Sequence, residues 1–242
     1  MWWNRLTMPQ IQERLAHTRT VIIPFGSVEE HGPHLPLATD LLHAEEVARR
    51  TAALHPCFIA PSVAYGICRS TRDHPGTISI SGPTLRQLTL DLGREFHRQG
   101  SRQLVLLTGH AGSQQVAALT EAGEQLLEEL PDLRLAVVNI LTLLQEVLKT
   151  HPNLVKTPND GHAGEIETAI MLAAFPELVQ GTAPAEWPEF PKFILCRKKR
   201  RFWPGGVWGN PTVARPEQGE TILQLEAERL AALIRELEVQ DY

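Results

Sequence analysis

Four short apolar runs punctuate the chain, and most are followed by a segment in which apolar residues recur every three or four positions. The runs lie near 20–26, 57–60, 103–108 and 134–139, and VIIPF at 21–25 is among the most continuous. Apolar stretches of this length, bounded by Gly, Pro and polar residues, read as buried strands. The periodic segments near 41–54, 83–99, 113–129 and 163–175 read as helices, and an amphipathic helix over 217–239 closes the chain. Such alternation predicts right-handed crossovers and a mainly parallel sheet covered on both faces, an α/β fold. With 242 residues and 43% hydrophobic content, one domain over 1–242 can bury a sizeable core, and no repeat or low-complexity tract divides it.

Charge narrows the partners. A net charge of -5 argues against nucleic acid, although RKKRR at 197–201 is locally basic. Only Phe202 and Trp203 follow that run, without the interleaved aromatics of a nucleic-acid face, so it reads as solvated or as paired with acidic residues of another subunit. The turn-rich WPGGVWGNP that follows suits a loop at a pocket mouth or a subunit contact. No stretch approaches a membrane span, and the start lacks a basic segment leading into an apolar one, so a cytoplasmic location is expected. Cys57, Cys68 and Cys196 are odd in number and scattered, which fits reduced thiols and no disulfide framework.

The chemistry concentrates where the first strand ends. Residues 26–40, GSVEEHGPHLPLATD, gather carboxylates and imidazoles in a loop that turn formation alone would build from Gly, Pro, Asn and Asp. Glu29 and His31, two apart in extended chain, can face one side, and Asp40 returns to add a carboxylate able to bridge two ions. Asp40 also fits a helix N-cap, and His34 a loop surface. A second buried run ends in Thr108-Gly109-His110, which brings a histidine to the carboxyl end of another strand, where open α/β sheets bind ligands. In NDGHAGEIET, a helix opening near Asp160 sets His162 and Glu165 on one face beside apolar positions, where a carboxylate needs a cation, a proton or a donor. Glu167 then points away, as a solvated or supporting group. Glu29, His31, Asp40, His110 and Glu165 form a nitrogen and oxygen set that suits two divalent ions, Zn, Mn, Fe or Co. Ions so paired acidify water toward a pKa of about 7, so hydrolysis is expected. No G-x-S-x-G motif and no cysteine signature marks a covalent nucleophile.

Taken in order, GSVEEHGPHLPLATD, HPGTISI, TGHAGSQ, HAGEIET and GVWGNPTVARPEQG resemble the creatininase family over almost the whole chain. The resemblance implies a three-layer α/β/α sandwich, two divalent ions (Zn, Mn or Fe), and hydrolysis of a C–N bond in a small cyclic amide or formamide-like substrate. It also admits a peptidase that trims a modified peptide; a non-catalytic metal or ligand-binding descendant stands as the contrary reading. Carried onto this chain, Glu29, Asp40 and His110 hold one ion and His31, Asp40 and Glu165 the other, while His162 shuttles a proton to the leaving nitrogen. The creatinine-specific branch has a metal-binding Glu where this chain has Gly112, and Glu165 is expected to replace it. A Glu-His pair of the family is Ser70-Thr71 here, and Arg69, Arg72 and His74 crowd that loop instead, which would favour a substrate bearing a carboxylate or phosphate. Family members resemble ring-like hexamers, so a homo-oligomer is expected.

Overall fold

The structure, a computed structural model, describes residues 1–239; the last three residues of the expected 1–242 domain lie outside the described residues. Four parallel strands, β1 (Thr20–Phe25), β2 (Phe58–Ile59), β3 (Gln103–Thr108) and β4 (Arg134–Asn139), lie in the order β2-β1-β3-β4. Helices α1 (Met8–Leu15), α2 (Thr39–Leu54), α3 (Gly82–Arg98), α4 (Ser113–Glu129), α5 (Ile140–Thr150), α6 (Glu165–Ala174) and α7 (Pro216–Val239) cover both faces. The three-layer α/β/α arrangement expected from the alternation is therefore present.

Strand alternation divides the core in two. Ile22, Val105, Leu107 and Val138 point to one face, where they pack with α2, α5, α6 and α7. Val21, Ile23, Phe25, Leu104 and Leu106 point to the other, against α3 and α4 and the N-terminal Trp3, Ile11 and Leu15. Both faces are apolar because both are covered, which is why these strands read as continuous runs rather than as alternating ones. Pro24 is tolerated in this central strand because its carbonyl accepts from Val63 N, beyond the end of short β2, so its missing N–H interrupts no ladder there.

Two boundaries differ from the pattern. The apolar run after β4 continues as α5, because the Asn139 carboxamide accepts from Leu141 N and turns strand into helix with no intervening loop. Helix α6 opens at Glu165, later than Asp160. The Asp160 carboxylate accepts from Glu165 N at 2.8 Å and Ile166 N at 3.0 Å across a turn in which Ala163 takes φ 48°. His162 consequently lies outside the helix, in an isolated bridge with Trp208.

Candidate metal centre

The centre forms where β1 and β3 end side by side. Gly26 follows β1 and Gly109 follows β3, and a Cβ on either would collide with the backbone of Leu41 or Asp40 at the start of α2. Their lack of a side chain lets the first turn of α2 press between the two strand exits. Asp40, the second residue of that helix, is thereby carried to the loop bearing Glu29 and His31 and to His110. Ser27 Oγ donates to Asp40 Oδ2 at 2.6 Å and fixes the carboxylate.

Both imidazoles are aimed in the same way. His31 Nδ1 lies 3.0 Å from the Glu29 carbonyl, and His110 Nε2 lies 3.2 Å from the Ile67 carbonyl. A carbonyl can only accept, so each ring spends its N–H on backbone and, when neutral, turns a lone pair inward. Inward, His110 Nδ1 meets Glu29 Oε2 at 2.8 Å and Asp40 Oδ2 at 3.0 Å. His31 Nε2 meets Asp40 Oδ1 at 3.2 Å and Glu167 Oε2 at 3.7 Å. Each inward nitrogen thus faces two carboxylates, one lone pair against several, and Asp40 offers a different oxygen to each ring. Such a group must hold either protons or cations. Protonated, the rings titrate high: burial works against the charge on His31, but Asp40 and Glu167 carry its pKa up to about 10. His110 rises well above its ordinary value, burial again being outweighed by Glu29 and Asp40. Asp40 falls well below the usual carboxylate range, the two imidazoles overcoming its burial.

The residues fit divalent metal ions. Glu29, His31 and Asp40 are 2%, 0% and 3% exposed, and with His110 neutral Glu29 Oε2 has no hydrogen-bond donor among the described residues. A ring that gives its outer N–H to a backbone carbonyl is the usual support of a metal-bound histidine. Donor atoms of His31, Asp40 and Glu167 lie within 4.8 Å of one another, as do those of Glu29, His31 and His162.

Of the residues expected at this centre, Glu29, His31, Asp40, His110 and His162 come together and Glu165 does not. Its carboxylate accepts from Lys156 N, from Thr157 N at 2.6 Å and from Gln218 Nε2 at 2.6 Å, tying the loop before α6 to α7. Those donors hold its pKa low despite burial, and they meet the need that a carboxylate among apolar neighbours creates. Because α6 opens at Glu165, Glu167 lies about 200° further round the helix and turns toward His31. It also accepts from Ala163 N at 2.5 Å. The carboxylate expected to be solvated or supporting therefore lies at the cluster, and the one expected as a ligand accepts from the loop before α6 and from α7.

His162 stacks on His31 with ring centroids 4.2 Å apart, and its Nε2 donates to the Glu30 carbonyl at 2.7 Å. Burial and neighbouring His31 oppose its charge, but Glu30 and nearby carboxylates raise its pKa above the ordinary value. Trp203 packs against the His162 ring in a T-shaped arrangement with ring centroids 5.0 Å apart, so the WPGGVWGNP loop walls this region. A cavity of about 590 Å³ opens beside the centre, lined by Glu30, His74, Glu186, Arg200 and Val207 among others. His74 is buried there, with Nε2 2.7 Å from the Trp203 carbonyl. Arg69 and Arg72 are exposed, and Arg69 lines a separate surface groove beside α3 and α4. The cation facing the cavity is Arg200, from the basic run. Thr71, which replaces the expected histidine of the loop, donates to Glu29 Oε1. Glu30, Thr71 and Arg200 lie within stretches that the sequence marks, the first motif, the Ser70-Thr71 departure and the basic run, but no local signal assigns them to the site, and only the fold brings them here.

The family model for creatinine amidohydrolases, Creatininase, matches residues 4–234. Creatinine amidohydrolase of Pseudomonas putida is 29% identical over 252 residues, spanning 96% of this chain and 95% of that protein. Mycofactocin precursor peptide peptidase of Mycobacterium ulcerans is 34% identical over 217 residues, 84% of this chain and 79% of that protein. A solved creatininase in its Mn form superposes with a TM-score of 0.83 at 28% identity, covering 97% of both chains. With its strand exits, its cluster and this match over nearly its full length, the chain belongs to the creatininase family.

Proposed function

We propose that this chain holds two divalent metal ions, Zn, Mn or Fe, with Asp40 shared between them, Glu29 and His110 completing one position and His31 and Glu167 the other. Within the creatininase family it is a metal-dependent amidohydrolase acting on a C–N bond. The observation that carries the two-ion reading is the pair of inward imidazole nitrogens, each held between two carboxylates, of which Glu167 alone is half-buried, while the opposite nitrogen donates to backbone. Bound ions supply Lewis acidity, acidifying water and polarising a carbonyl. The chain's own residues do the rest. His162 stands over His31 and titrates above its ordinary value, so it can hold a proton near neutrality and deliver it to a departing nitrogen. Trp203 packs against His162, Val207 lines the cavity, and Arg200, set there among Glu30 and Glu186, can hold an anionic group of the substrate.

The substrate proposed is a small cyclic amide or a formamide-like compound. Trimming of a short modified peptide is the second reading, supported by the 34% identity to a mycofactocin precursor peptide peptidase. We further propose a single domain over 1–242, a cytoplasmic location and a homo-oligomer, with a hexamer as its form. Phe193 and Leu195, almost fully exposed at the tip of one loop, support a subunit contact. No described helix is long and apolar enough to cross a membrane.

The test joins metal analysis to a substrate screen. Protein stripped with a chelator and reloaded separately with Zn, Mn or Fe is offered cyclic amides, formamides and short peptides. Hydrolysis that vanishes on stripping and returns on reloading is expected. Undiminished hydrolysis by protein shown to be metal-free would overturn the reading.

A further inference from the structure

Two buried thiols, Cys57 and Cys68, have no part in the chemistry above, and Cys68 is the one beside the cluster. Cys68 is fully buried, and its Sγ lies with donor atoms of Glu29 and His110 in a group whose members are all within 4.8 Å of one another. Its place is fixed: Cys68 N donates to Ser79 Oγ at 3.0 Å, and Ile67 N, just before it, donates to Gln115 Oε1 at 2.9 Å. The Ile67 carbonyl is also the group that orients His110, so one short segment sets both the ring and the thiol.

Two features indicate that the thiol faces a cation. Glu29 is 2% exposed, and when His110 is neutral its Oε2, in the same group as the sulfur, has no hydrogen-bond donor among the described residues. Gly112 closes the other side of His110, where any Cβ would collide with the ring nitrogen Nε2, so that position can offer no ligand of its own. The sulfur is the extra donor within reach of Glu29 and His110. Binding an ion there would exchange the thiol proton for the metal, as thiolate coordination requires.

Resting on the two-ion reading, we infer that Cys68 is a thiolate ligand of the ion held by Glu29 and His110, which makes the two positions chemically unequal: one with nitrogen, oxygen and sulfur donors, the other with nitrogen and oxygen alone. Thiolate biases its position toward Zn or Fe and away from hard cations such as Mg or Ca.

Cobalt(II) tests this without any substrate. Stripped protein is reloaded with Co(II), its cobalt content is measured, and its absorption spectrum is recorded beside those of Cys68→Ser, Cys57→Ser and Cys196→Ser. The expected result is a sulfur-to-cobalt charge-transfer band in the near ultraviolet, lost in Cys68→Ser and retained in the other two. Cobalt bound by the wild type without that band overturns the inference and leaves the two-ion reading standing. A band that survives in Cys68→Ser also overturns it. Failure to bind cobalt, zinc or manganese at all overturns both. The wild-type spectrum decides the matter even if Cys68→Ser does not fold.

Discussion

Two buried sets of imidazole and carboxylate hang from the first turns of α2 and do opposite things. His43, one turn beyond Asp40, puts Nε2 2.8 Å from Glu226 Oε2 on α7, and both residues are buried. That is one ring for one carboxylate: burial disfavours the charge on His43, Glu226 restores it, and its pKa is raised. The pair joins two helices. At Asp40, two rings each aim one nitrogen between two carboxylates. Burial does not separate the two sets, and an orphaned oxygen alone does not, since Glu226 Oε1 lacks a donor among the described residues just as Glu29 Oε2 does when His110 is neutral. The separating feature is how many carboxylates crowd the inward nitrogen once the other ring nitrogen is spent. His31 and His110 spend theirs on backbone carbonyls, so their inward nitrogens are free to be ligands, and the carboxylates around them outnumber what one proton can serve.

The sharpest attempt to break this contrast sits on α6. Glu167→Gln should lose one ion of the pair and take turnover to background, whereas Glu165→Gln should keep both ions and lose roughly 1–3 kcal/mol, the cost of unsettling buried hydrogen bonds. Elemental analysis and thermal melting of the two variants read this directly, and the opposite outcome would restore Glu165 as the ligand. Next in size is His162→Asn, expected to keep both ions while turnover falls about 10² to 10⁴-fold, the usual contribution of general acid–base catalysis. Loss of an ion in that variant would make His162 a ligand instead. His43→Leu leaves Glu226 buried without its partner and should lower stability by about 3–5 kcal/mol, with metal content per folded chain unchanged.

A further effect is one of pH. His31 moves from an ordinary 6.5 to about 10 in the folded, metal-free protein, so its stabilisation is fully present below 6.5 and is lost as pH rises through about 10. Melting temperatures of stripped protein should therefore decline across that window, and those of metal-loaded protein should decline less, because the ions replace the protons. Parallel curves would contradict proton and metal sharing one place.

The fold was legible because its strands are apolar on both faces and its helices are periodic, so position after position declared burial. Asn139 hid the start of α5, since a single side chain capped the helix inside an unbroken apolar run. At the site, Glu29, His31, Asp40 and His110 follow strand ends, and strand ends converge in a parallel sheet. The choice between Glu165 and Glu167 depended on where α6 begins, and Asp160 sets that by reaching over a turn that local pattern does not show. Arg200 and Thr71 come to the cavity and cluster through long irregular segments whose course only tertiary packing determines.

The central claim is that Asp40 is shared between two ions. Metal stoichiometry of Asp40→Ala, measured beside the wild type by elemental analysis on refolded and gel-filtered protein, tests it most directly. Two ions per chain in the wild type and neither in the variant is the expected result; two ions retained by Asp40→Ala would contradict it.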